Sequence, residues 1–373
     1  MALSYFLIVS GNSILPPRQP DRPAIWGMSV KRNTGMMEDR RKFLQAAGAS
    51  LSVLAVTSQG AMAATIAKSP NGKALAGVFP IGWTPCKPSN AFDPDAMVKQ
   101  QQFLNRGKVA GMAWPQNASG WQSLTPEEWH AGAEALASVK GDTALVLGVQ
   151  TTGFNIANSQ AYAKKAKSLN ADGIISLTPA GSDAEIIEYF KALSDASGLP
   201  IMVQAVGNVS IDTLVALAKA VPTIVAVKDE AGDPLERAPI LLQRTAGRLE
   251  DFSGGGGMSF FPELELGFLG TCPYTGLADV LQACFNAYMA GRKRDAYDSF
   301  GRFLAFNALP HANEYVMKAR GIFADDAVMR SNSAAPGAPA GGGSGRRGGQ
   351  ITDAQKAEIH TALNTYLKPF LVA

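Results

Sequence analysis

The stretch 224–233, I-V-A-V-K-D-E-A-G-D, places Lys228 directly after a run of apolar, largely β-branched residues. Such a run makes a strand, and a strand that ends at a cleft wraps the lysine stem in hydrocarbon while exposing its tip. Burial of this kind disfavours an ammonium and makes a neutral amine accessible, and a neutral amine can attack a ketone. The resulting protonated imine withdraws electrons from the neighbouring carbon, which eases carbon–carbon cleavage or loss of water. The plainer alternative is a strand-end lysine whose head only reaches solvent. Asp229 and Glu230 adjoin it, but successive strand residues face opposite ways, so at most one of the two shares its pocket. A carboxylate there could also act as a base, with the lysine as its electrostatic partner.

The position of this strand in the chain decides between these readings. From residue 77 onward, short apolar runs alternate with segments of helical period, the pattern of βα units. Strands are expected at 77–81, 109–113, 143–149, 172–177, 200–205, 223–228, 250–253 and 270–273. Helix starts follow at Pro94-Asp95, Thr125-Pro126, Asp183, Ser210 and Asp233-Pro234. Eight repeats close a (β/α)8 TIM barrel, and three further helices at 277–290, 294–307 and 310–323 extend it at the carboxyl end. An open doubly wound sheet is disfavoured because P-I-G-W-T-P, not G-x-G-x-x-G, follows the first strand. Barrel chemistry sits at the carboxyl ends of the strands, and Lys228 ends the sixth.

The same logic selects other candidates at strand ends. Thr84, Gln150, Thr151, Thr178, Gln204 and Ser253 would ring the mouth with neutral hydrogen-bonding groups, although Thr178 and Ser253 could equally cap the next helix. Gly254 and Gly255 open a run of four glycines whose backbone N–H groups could approach a substrate carboxylate.

Composition narrows the function classes. The chain has 373 residues, 46% hydrophobic and 17% charged, enough to bury a large core. Its formal charge of +3 is concentrated at the amino end. Seven of the 34 Lys+Arg and three of the 31 Asp+Glu fall in 1–63, leaving 27 against 28, a net of −1. No basic field remains for nucleic acid. Three histidines and three cysteines are scattered without metal-ligand spacing, so no metal is expected. Cys86 and Cys272 would lie on neighbouring strands of a closed barrel, as two buried thiols or, in an oxidising compartment, as a disulfide.

The ends of the chain read differently from its middle. Residues 1–35 lack periodicity and are expected to be unstructured, or a leader upstream of a start at Met36 or Met37. Residues 36–63 resemble a twin-arginine export signal: Arg40-Arg41 followed by Lys42, Phe43 and Leu44, a mildly apolar middle, and A-M-A at 61–63. That resemblance implies the twin-arginine export machinery as a partner, a periplasmic or secreted location, and no membrane attachment once the signal is cleaved. Residues 64–75 read as a linker, 76–290 as the barrel and 291–330 as carboxyl-terminal helices. Residues 331–350 form a Gly/Ala/Pro segment unable to bury apolar area, and 351–373 carry a terminal amphipathic helix.

Several motifs together carry a resemblance. G-V-F-P-I-G-W-T-P at 77–85, S-L-T-P-E-E-W at 123–129, D-G-I-I-S-L-T-P at 172–179, G-L-P-I-M-V at 198–203 and V-K-D-E-A-G-D at 227–233 are similar, in order, to elements of the dihydrodipicolinate synthase and N-acetylneuraminate lyase family. The branch that dehydrates ketodeoxy sugar acids looks closest, because its lysine is likewise followed by Asp. The resemblance spans about 76–330. It implies a barrel, a 2-keto acid substrate such as pyruvate or a sugar-derived acid, no cofactor, a homotetramer, and Lys228 as the imine-forming residue.

Departures from the family pattern matter equally. The G-T-T-G-E loop that holds a substrate carboxylate is replaced by W-P-Q-N-A-S-G-W-Q, which leaves Asn117 and Ser119 as substitutes. The proton-relaying tyrosine after the fourth-strand T-P is replaced by Ala180-Gly181, and Gln204-Ala205 stands where Tyr-Asn is usual. Tyr274, at the end of the eighth strand, or an ordered water is expected to take over the relay. The competing expectation is a periplasmic binder of small carboxylates that has lost the chemistry.

Overall fold

The computed structural model describes residues 66–330 and 351–371. The leader (1–35), the twin-arginine segment (36–63) and the Gly/Ala/Pro segment (331–350) lie outside the described residues.

Among the described residues ten strands occur in chain order: β1 (Gly77–Val78), β2 (Pro85–Cys86), β3 (Gly111–Trp114), β4 (Ala144–Gly148), β5 (Gly173–Leu177), β6 (Ile201–Val206), β7 (Ile224–Glu230), β8 (Glu250–Ser253), β9 (Gly270–Thr271) and β10 (Val328–Met329). All but β2 and β10 form one parallel sheet in the order β1-β9-β8-β7-β6-β5-β4-β3. The two ends of the sheet meet just past β1, where Ala113 N donates to Pro80 O at 3.0 Å and Gly82 N to Ala113 O at 2.9 Å. The result is the expected (β/α)8 barrel. Its strands are buried on both faces because helices cover the outside, which is why they read as unbroken apolar runs rather than alternating ones.

The helices of the barrel and its extension are α1 (Pro94–Arg106), α2 (Pro126–Ser138), α3 (Ile156–Ser168), α4 (Asp183–Ser197), α5 (Ile211–Ala220), α6 (Pro234–Arg244), α7 (Phe260–Leu266), α8 (Ala278–Met289), α9 (Lys293–Asn307), α10 (Ala312–Ala319) and α11 (Asp353–Thr361). Their starts are set locally by side chains that satisfy first-turn N–H groups. Thr125 accepts from Glu128 N while Glu128 accepts from Thr125 N, and Ser182 and Glu185 repeat that reciprocal cap. Ser210 accepts from Thr213 N and Asp233 from Leu235 N.

Inside the cylinder, Phe79 and Phe252 meet edge to face at 5.1 Å, with Val146, Ile175, Met202 and Ala226 filling the remaining space. Gly111 permits this packing: a Cβ there would lie 2.1 Å from the Phe79 ring. Residues 66–75, expected to be a linker, instead pack beneath the amino ends of the strands. Asp172 there accepts from Ser69 Oγ (2.9 Å), Asn71 Nδ2 (2.8 Å), Leu145 N (2.9 Å) and Lys73 Nζ (3.3 Å). Burial of this carboxylate opposes its charge, but the backbone donor, Asn71, Ser69 and Lys73 together hold it below the usual range.

Around β8 the balance runs the other way. Burial pushes Glu250 up to about 7, and it raises Glu263 and Asp251 too, Asp251 also facing the like charges of Asp229 and Glu263. An acid raised in the folded state contributes stability below its unfolded pKa and loses that contribution as pH rises through the folded value. Glu250 alone is expected to remove about 3 kcal/mol of stability as pH climbs from about 4.5 to above about 7. Urea denaturation across that window measures the slope. Glu250→Gln, which keeps an acceptor for Leu269 N at 2.7 Å, should flatten it.

Candidate active site

Strand alternation on β7 sorts the three charged residues. Asp229 turns outward, where its carboxylate accepts from Arg237 Nε at 2.8 Å and from Ala231 N at 3.0 Å. It is therefore committed to the outer layer and cannot serve as a base in the barrel mouth. Lys228 and Glu230, two residues apart, turn inward together. The lysine is only 4% exposed, and its Nζ lies 2.7 Å from Glu230 Oε1.

The register across the sheet supplies the neighbours of this pair. Gln204 on β6 and Phe252 on β8 lie level with Lys228. Gln204 Nε2 donates to Glu230 Oε2, so both carboxylate oxygens are engaged. Gly254, just past β8, lets the Glu230 stem fold back, since a Cβ at that position would sit 2.0 Å from Glu230 Cγ.

Lys228 and Glu230 open into a cavity of about 630 Å3 at the carboxyl ends of the strands. Asn117, Gly254, Gly255 and Tyr274 line it as well. Tyr274 stacks flat on Trp83, with ring centroids 5.2 Å apart. Cys272 forms part of the wall, and burial pushes its thiol up to about 12, so it stays protonated and offers no competing nucleophile. Cys86, Cys272 and Cys284 are all unbridged and buried.

Other residues expected at the mouth are turned elsewhere. Thr84 is fully buried, donating to Ser119 O at 2.7 Å and accepting from Trp114 Nε1 at 2.9 Å. Ser119 is likewise spent, its hydroxyl bonded to Gly82 O at 2.5 Å, which ties the loop after β3 to the segment that follows β1, and of the two substitutes expected there only Asn117 lines the cavity. Thr178 is buried outside the cavity lining, one step past Leu177. Ser253 follows the inward Phe252 and so turns outward, accepting from Gly255 N at 3.3 Å. The glycine run does not present its first two N–H groups to the cavity either: Gly254 N donates to Asp229 O and Gly255 N to Ser253 Oγ. Gln150 bonds to Pro115 O, and Thr151 lines a separate cavity beside Trp121 and Tyr162.

No pattern in the chain marks the outer wall. It comes from 307–314, the end of α9, the connection after it and the first turn of α10, where Asn307, His311, Asn313 and Glu314 line the cavity. A connection has no periodicity to betray which surface it crosses, and the approach is set by how α9 and α10 dock. Glu230, by contrast, was within reach of a parity argument once Lys228 was placed inward.

Chemically, the site joins an amine, a carboxylate in contact with it, an amide that holds the carboxylate, and polar walls large enough for a small hydroxylated molecule. Known proteins share this arrangement of strands. The model of the dihydrodipicolinate synthetase family matches residues 74–307. A 4-hydroxy-tetrahydrodipicolinate synthase of Cutibacterium acnes is 32% identical over 221 residues, 56% of this chain and 70% of that protein. A probable 5-dehydro-4-deoxyglucarate dehydratase of Streptomyces griseus is 29% identical over 206 residues, 52% of this chain and 62% of that protein. Among solved structures, a prophage protein of the dihydrodipicolinic acid synthase family from E. coli, in complex with pyruvate, superposes with a TM-score of 0.63 at 18% identity, covering 78% of this chain and 98% of its own. Because the family model spans the barrel from its first strand to the end of α9, the second helix beyond its last strand, this chain belongs to the dihydrodipicolinate synthetase family.

Proposed function

We propose that the chain is a Schiff-base-forming lyase, an aldolase or dehydratase that acts on a 2-keto acid. The observation that carries this reading is the buried Lys228 amine, opening into a cavity at the carboxyl end of the sixth barrel strand. The relatives named as a synthase and a dehydratase, and the relative solved with pyruvate, support a keto acid as the substrate class. Imine chemistry needs no cofactor, because the protonated nitrogen is itself the electron sink. Sodium borohydride added with pyruvate or a longer keto acid should leave one reduced adduct per chain on Lys228, read by peptide mass. A panel of keto acids that leaves Lys228 unlabelled would overturn the proposal.

A second reading is favoured by one observation: exposed Ala180 and Gly181 stand where relatives carry the relay tyrosine. In that reading the protein binds small carboxylates without turnover, and thermal stabilisation by the same panel, with neither adduct nor product, would establish it. The full reading also includes export through the twin-arginine route and assembly into a homo-oligomer. Cell fractionation with amino-terminal sequencing tests the first, and light scattering the second. A mature chain retaining Arg40-Arg41 in the cytoplasm would remove export from the proposal.

A further inference from the structure

We infer that Glu230 is the proton carrier of this site and replaces the tyrosine that family relatives place after the fourth strand. The inference rests on the imine-forming reading of Lys228. Three features of the geometry carry it. Glu230 Oε1 is in direct contact with the reacting nitrogen, at 2.7 Å. Its second oxygen is held by Gln204, which is fully buried and stands on the strand that ends in Tyr-Asn in relatives. Gly254 leaves the space the carboxylate occupies. Tyr274, expected from the sequence to be the relay, shares the cavity, but its ring lies against Trp83. Other ionisable groups of the cavity are Cys272, His311 and Glu314, the last two on the outer wall.

A single carboxylate suffices for the balance of the reaction. Glu230 takes one proton from the Lys228 ammonium, and the freed amine attacks the carbonyl carbon, breaking the C–O π bond. The oxyanion takes that proton back from Glu230, giving a carbinolamine whose nitrogen is positively charged. Glu230 then removes a proton from this nitrogen and delivers it to the hydroxyl, which leaves as water as the C=N bond forms. One ammonium and one ketone have become one protonated imine and one water, with Glu230 again a carboxylate. Gln204 acts as a positioning residue, since it keeps Glu230 turned toward the amine.

The test compares the full-length protein with Glu230→Ala and Glu230→Gln, following the rate of borohydride-trapped pyruvate adduct by intact mass. Both variants should form the adduct about 10²–10⁴-fold more slowly than the wild type. The Gln variant keeps an acceptor for Gln204 and a near-identical shape, so its loss reports chemistry rather than folding. In the Ala variant, added formate and then acetate should restore the rate, more strongly for the more basic acid, whereas the Gln variant should not respond because its amide fills the space. A merely structural role predicts no dependence on the basicity of the added acid. Variants that trap pyruvate at the wild-type rate, or an Ala variant that no carboxylate rescues, would overturn the assignment of Glu230 while leaving Lys228 in place. Where the wild type traps a longer keto acid rather than pyruvate, that acid is the probe for the variants; a wild type that traps no keto acid of the panel overturns both assignments, which separates the two failures.

Discussion

Lys228→Met should abolish the borohydride-dependent adduct and lower turnover of any keto acid that the wild type consumes by roughly 10⁴- to 10⁶-fold, the scale of loss when one member of a covalent catalytic constellation is removed. Methionine is close in length and apolar, so it fills the space of the lysine stem against the barrel interior without a cavity. Circular dichroism should stay near wild type, whereas the thermal midpoint should fall modestly because Glu230, itself partly exposed, loses its partner at 2.7 Å. Binding of pyruvate, read by thermal shift, should persist in weakened form. Turnover that survives in this variant would mean that the reaction does not pass through an imine.

The largest effect on stability is expected at Arg330. Only 3% of it is exposed, and its guanidinium makes paired bonds to Glu128, at 2.8 Å from Nη2 and 3.1 Å from Nη1. It also donates to Ser123 O at 2.9 Å and to Asn90 O at 3.2 Å, while its backbone N bonds to Thr84 O at 2.9 Å. β10 meets β2 next to it in a two-stranded antiparallel pair. Removing one member of a buried pair strands the other, at a cost of about 3–5 kcal/mol. Here Glu128 keeps partial exposure and its bond to Thr125 N, which points to the lower end of that range. Arg330→Met should thus lose about 3 kcal/mol and lower Tm by roughly 10 °C. Calorimetry checks this, and an unchanged midpoint would show that β10 is held by packing alone.

Much of the barrel could be read from the chain because its signals are local. Strands buried on both faces announce themselves as continuous apolar runs, and the helix starts at Thr125, Ser210 and Asp233 are made by the side chains at those positions. Lys228 was legible for the same reason. Side-chain direction was less so. Thr178 and Ser253 end their strands but stand out of phase with the interior: Leu177 and Phe252 take the inward positions, so the next residue in each case turns away. Thr84 and Ser119 were lost to a different cause, since their hydroxyls satisfy buried carbonyls that only the folded loop brings near. The wall at 307–314 depends on tertiary docking, which no periodicity records.

That wall separates two properties that evolution or an engineer would otherwise have to change together. Lys228 and Glu230 stand on β7, whereas His311, in the connection after α9, and Glu314, in the first turn of α10, line the opposite side of the cavity from outside the barrel. Exchanging side chains on this connection alters what fits the chamber without disturbing the nitrogen or its carboxylate. Molecules of different size and polarity could therefore be accommodated beside an unaltered Lys228–Glu230 pair.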